Sequence, residues 1–171
     1  EAAQKLYATL ELAIKAVPEE LKPLLILLGL HERFVHLDYF EDMAKQVDSN
    51  WSSLPIRRFA DTLCHIGLLT EKEENIFELH PALTGSLRSE LIKKQSEQVQ
   101  NLWISAFVDV MGSLADDLAP RHLHEQRMPF SLFGTSFYFA MNEAQKIYMN
   151  AHFSAILQFL AAYSQNEHNY K

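Results

Sequence analysis

The chain has 171 residues with one cysteine, five glycines, six prolines and no apolar run that would span a membrane. A single cysteine excludes an internal disulfide framework and a four-cysteine zinc site, and it fits a reducing compartment. Five glycines leave little material for phosphate-cradling loops or a turn-rich β-sandwich. The longest nearly uncharged apolar stretch, Pro23 to Leu30, is far short of the roughly 20 residues a transmembrane helix needs. No signal peptide is visible, so the expected location is cytoplasmic. The sequence opens inside a helical pattern without a Met, so it is expected to be a segment of a longer protein.

Basic residues are also scarce. Lys and Arg number 15 against 22 Asp and Glu, giving a net charge of −7. Residues 1–95 carry 11 basic and 15 acidic side chains, and residues 96–171 carry 4 and 7. Neither half has the cationic excess needed to neutralise phosphates, so nucleic acid is a disfavoured partner. Catalytic signatures are absent as well. There is no Gly-x-x-x-x-Gly-Lys-Ser/Thr, no Gly-x-Gly-x-x-Gly, no Gly-x-Ser-x-Gly and no His-Glu-x-x-His. His122-x-His124 lacks a third ligand at convincing spacing, so no metal site is expected. Cys64 falls on an apolar helix face and reads as a small buried hydrophobe. Asp116 and Asp117, adjacent on a helix, diverge by about 100° and read as a solvated helix end.

What is present is mostly helical periodicity. Leu6, Leu10, Ala13 and Ile14 share one face over residues 2–16. Pro18-Glu19-Glu20 reads as the start of a buried helix through Leu30. Phe34 to Leu37 is a short extended candidate. Asp38 with Glu41 suggests a capping box for a helix to about Val47. Ser53 then caps a helix with apolar positions Ile56, Phe59, Ala60, Leu63 and Cys64. Leu68-Leu69-Thr70 and Ile76 to His80, around a five-residue polar loop, read as a β-hairpin. A helix follows from about Ala82 to Lys94. Residues 96–118 predict a helix with Val99, Leu102, Trp103, Ala106, Phe107, Val110 and Leu114 on one stripe. Residues 122–130, polar and containing Pro129, predict a loop or a frayed turn. Two further helices follow, separated near Asn150–His152, the second with Phe153, Ile156, Leu157, Leu160 and Ala161 as its stripe.

The expected fold is therefore mainly α. Residues 1–17 end a preceding helical domain, and residues 18–95 form a winged helix, meaning a helix-turn-helix core with a β-hairpin wing. Residues 96–171 form a helical, tetratricopeptide-like region, whose single hairpin normally stacks on neighbours.

The segments PEELKPLLILLGLHERFVHLDYFEDMA and RFADTLCHIGLLTEKEENIFELHPALTGSLR resemble the winged-helix domain of STAND-class NTPases, the signalling ATPases related to NB-ARC and NACHT proteins. SFYFAMNEAQKIYMNAHFSAILQFLAAYSQNEHNYK is similar to the first tetratricopeptide-like hairpin that follows it in bacterial members. The resemblance implies a non-catalytic regulatory segment that gates a nucleotide domain lying outside this sequence and begins a helical sensor array. It implies no cofactor in the segment itself, ADP or ATP in the parent protein, and protein partners for the helical repeats. It further implies a role for His80. In the NB-ARC branch a Met-His-Asp histidine contacts the β-phosphate of ADP, and Leu79-His80-Pro81 is the matching triplet here; the structural alternative is that His80 caps the following helix or packs under Pro81. The competing reading is a DNA-binding transcription regulator with a helical ligand or dimerisation domain, with Arg57 and Arg58 on its recognition helix. The acidic wing, Glu71, Glu73 and Glu74, weighs against that reading because it repels phosphates.

Overall fold

A computed structural model describes residues 2–90 and 92–169; the side chains of residues 2–7, Thr9, Glu90 and Asn169 are outside the description. The chain is mainly helical, with one small antiparallel sheet. It divides into two compact units, Glu1–Trp103 and Ile104–Lys171.

The first unit contains α1 (Ala2–Lys15), α2 (Leu24–Leu28), β1 (Phe34–His36), α3 (Leu37–Val47), α4 (Ser53–His65), β2 (Leu69–Glu73), β3 (Ile76–Leu79) and α5 (Leu83–Glu90). The long buried helix expected over residues 18–30 is broken. A 3-10 turn spans Glu19–Leu21, and α2 begins only after Pro23. Pro23 cannot continue a helix it does not start, since its ring removes a donor. All five side chains of α2 are buried nonetheless. Phe40, Phe59, Phe77, Leu83 and Leu87 are buried in the same unit, each with essentially no exposure.

The cap of α3 differs from the expected Asp38–Glu41 box. His36 is the N-cap, and its Nδ1 accepts the Asp38 N–H at 3.3 Å. Glu41 instead pairs with Lys45 one turn on. Likewise Ser52, not Ser53, is the N-cap residue of α4. After α4, Gly67 takes φ 78°, the left-handed conformation that lets a helix stop and a strand begin.

The sheet has the order β1-β3-β2. Phe34 opposes Glu78 and His36 opposes Ile76, so the short extended segment is a true strand. The hairpin is tighter than expected. Glu71 opposes Phe77 and Glu73 opposes Ile76 with a bulge between them, leaving Glu74-Asn75 as the turn. Asn75 supplies the positive φ of 62°. The polar residues of β2 resembled a loop because an edge strand carries charge on its exposed positions. α5 is shorter than the predicted helix, ending at Glu90 before a 3-10 turn at Ile92–Lys94.

α6 (Glu97–Leu118) begins in the first unit and continues into the second, which also holds α7 (Leu123–Lys146) and α8 (Asn150–Asn169). The loop expected at residues 122–130 is helix: α7 runs through Pro129. Three features make this so. Glu125 accepts the His122 N–H at 3.1 Å, closing the start of the helix. Leu123, Gln126, Phe133, Phe137, Ala140 and Ala144 share a buried face at helical spacing. Phe130 stacks on Tyr163 of α8 at 3.8 Å. Pro129 lies off that face and forfeits one backbone bond.

Gln126 hid the pattern, because it is a polar residue in a core position. It is fully buried, donates Nε2–H to Leu118 O at 3.0 Å and to Ala119 O at 3.3 Å, and accepts from Asn166 at 3.2 Å. The side chain caps the end of α6, where carbonyls lack helical partners. Gln126→Leu is therefore expected to destabilise the second unit by about 1–3 kcal/mol despite its apolar character, since it strands buried polar groups. A urea unfolding midpoint equal to or above wild type would contradict this.

The buried faces of α6 and α8 keep the middle of each predicted stripe and differ at its flanks. α6 buries Trp103, Ala106 and Phe107 of its expected stripe together with Ile104, Val108, Met111, Ala115 and Leu118, while Leu102 is about half exposed and Val99, Val110 and Leu114 are half-buried. α8 buries Ile156, Phe159 and Leu160, while Leu157 and Ala161 face outward. In a helix apolar nearly all round, periodicity admits neighbouring stripes, and only packing partners choose between them. Tyr148, at φ 60° and almost fully exposed, makes the break between α7 and α8.

Candidate functional site

His80 lies just beyond β3, where the hairpin returns to the helical core. Its backbone is fixed on both sides: His80 N–H donates to Leu68 O at 3.0 Å, and His80 O accepts from Leu83 N–H at 2.8 Å. Pro81 sets the following turn. The half-buried imidazole folds back so that Nδ1 accepts the Ala82 N–H at 3.3 Å. An Nδ1 that accepts places the proton of the neutral ring on Nε2. The ring thus caps the turn with one nitrogen and is left with a donor on the other. This is the chemistry a phosphate or carboxylate oxygen takes.

Arg57 and Arg58 sit on the outer side of α4, beside a surface cleft of about 490 Å³ that Leu54, Asp61, Thr62 and His65 also line. Neither guanidinium is held ready for a phosphate. Arg57 donates to Asp61 at 3.1 Å and approaches Glu71 of the hairpin at 3.5 Å, with its guanidinium carbon 5.6 Å from the Phe77 ring centre. Arg58 pairs with Glu20 at 3.0 Å. These exposed pairs contribute little to stability, about 0–1 kcal/mol each, but they neutralise the face. The i,i+4 spacing announces the Arg57–Asp61 pair; the Glu20 and Glu71 partners come from distant segments and leave no local signal. Duplex DNA at near-physiological salt is accordingly expected to give no sequence-dependent binding below about 1 μM, the regime of specific recognition. A saturable, sequence-dependent anisotropy change in that range would overturn this.

The other singled-out residues do not assemble into a reactive centre. Cys64 is half-buried, not fully buried as expected. Burial first, then the Glu71 and Asp61 carboxylates, push its thiol up, which disfavours the nucleophilic thiolate. His122 and His124 stack with ring centres 5.8 Å apart beside Arg127, in an open cleft of about 410 Å³. Asp116 and Asp117 are both exposed, and Asp117 pairs with Arg121. Among the described residues no group of three or more His, Cys, Asp or Glu is placed to hold a metal ion. No helix among them is long and apolar enough to cross a membrane.

A further polar contact without a local sequence signal joins two helices of the second unit. His152 Nε2 meets Asp109 Oδ1 at 2.9 Å, joining α8 to α6. Its ring lies against Gly112, where an added Cβ would come within 2.5 Å of His152 Cδ2. A glycine in mid-helix was the available hint, since it weakens a helix unless a close approach requires it.

No protein-family model, curated protein or solved structure matches the chain.

Proposed function

We propose that residues 18–95 form a winged-helix regulatory module of a STAND-type signalling ATPase and that residues 96–171 begin a helical protein-interaction array. The observation that carries this reading is the placement of His80. It stands at the exit of the hairpin, its backbone pinned and its Nδ1 occupied, with Nε2–H as the remaining donor. The element order through the first unit, helix, strand, helix, helix, hairpin, helix, with sheet order β1-β3-β2, supports a helix-turn-helix core with a wing. The internally paired Arg57 and Arg58 favour a docking role for α4 over DNA reading.

In this scheme the module makes no bond to substrate. It packs on a nucleotide domain in the closed state, and His80 donates to a phosphate oxygen of bound ADP. The contact is lost on opening, and a contact present in one state only is sufficient to bias a two-state equilibrium. Pro81 stands where the related motif has an acidic residue, so the Ala82 N–H replaces that acid as the group orienting the ring.

In the longer protein, His80→Ala is expected to speed ADP release by about 5–150-fold, the usual span of an allosteric coupling. In the isolated chain the same change removes one cap bond and is expected to cost about 1 kcal/mol. An unchanged ADP off-rate combined with a large loss of fragment stability makes His80 a packing residue and ends the proposed sensing role. A parent reading frame with no P-loop upstream of residue 1 ends the ATPase reading altogether.

A further inference from the structure

We draw no further inference here: the strongest candidate, the small cleft between α6 and α8 where His152 meets Asp109 beside Ser113 and Asp116, holds an interhelical histidine–aspartate contact packed over Gly112, and nothing in the structure shows what would occupy it.

Discussion

Acidification from about pH 6.5 to about pH 4 is expected to remove about 3 kcal/mol of stability through His31 alone. The imidazole is buried between the end of α2, the Phe40 ring at 5.6 Å and the α5 side of the core. Burial pulls its pKa down from 6.5 to about 4; the bond between Nδ1 and Leu27 O opposes this shift, and the Arg88 charge adds to it. The folded protein therefore holds His31 neutral where the unfolded chain would protonate it. Above about pH 6.5 both states are neutral and the contribution is complete. Between the two values the unfolded state binds the extra proton, and stability falls by up to about 1.4 kcal/mol per pH unit. Below about pH 4 both states are protonated and this loss stops.

Carboxylates titrate over the same range. Lys15 beside Glu11, and Lys72 with Arg33 beside Glu78, hold those two carboxyls below their ordinary values. The test is therefore a difference: urea unfolding of wild type and His31→Gln at about pH 7 and about pH 4.5, chosen to straddle most of the window. The wild type should lose about 2–3 kcal/mol more than the variant. Equal losses would show that His31 is not the group responsible. If the glutamine variant does not fold, an NMR titration of wild type settles the point. The His31 ring should show no protonation until well below pH 5, and a midpoint near 6.5 would refute the assignment.

Arg88→Ala is expected to destabilise the first unit by about 3 kcal/mol, through loss of charge-assisted hydrogen bonds at a partly buried site. Arg88 extends from α5 across the end of α2. Nε donates to Gly29 O at 2.7 Å, Nη2 to Leu30 O at 3.3 Å, and Nη1 to Glu32 Oε1 at 2.6 Å. One turn earlier, Thr84 donates its hydroxyl to His31 O at 3.1 Å. One face of α5 thus ties down residues 29–32, where the short α2 ends and its carbonyls lack helical partners. Close approach is built in at Gly29, where an added Cβ would meet Ile92 Cδ1 at 2.9 Å and Leu87 Cβ at 3.0 Å.

Geometry makes Arg88→Lys informative. An ammonium is a point charge and cannot reach three acceptors spread around a planar fork, so it should recover less than half of the loss. A lysine variant as stable as wild type, or an alanine variant within about 0.5 kcal/mol of it, as for an ordinary surface change, would show that the clamp does not hold the unit together.

Much of the first unit could be read from local pattern. The apolar faces of α3 and α4, the strand at Phe34–His36 and the hairpin ahead of Pro81 follow from short-range periodicity and turn residues. His80 was placed at the hairpin exit by sequence alone, since it depends only on where β3 ends. The bond from Ala82 N–H, which fixes the ring tautomer, depends on the turn geometry after Pro81 and exists only in the folded chain. The neutralisation of Arg57 and Arg58 likewise arises only on folding, because Glu71 and Glu20 arrive from other elements.

By itself, then, the sequence determined a mainly helical chain with one hairpin, an acidic surface and no P-loop, because composition and near-neighbour spacing carry that information. Tertiary packing alone decided which flanking positions of α6 and α8 join the buried stripe, that α7 passes through Pro129, and that His31 is held neutral inside the core. A helix that is apolar nearly all round can rotate without violating its own pattern. A buried Gln126 is favourable only when the carbonyls of Leu118 and Ala119 stand opposite it. The pKa of an imidazole is set by what surrounds it in space, and Leu27, Phe40 and Arg88 surround His31 only once the chain has folded.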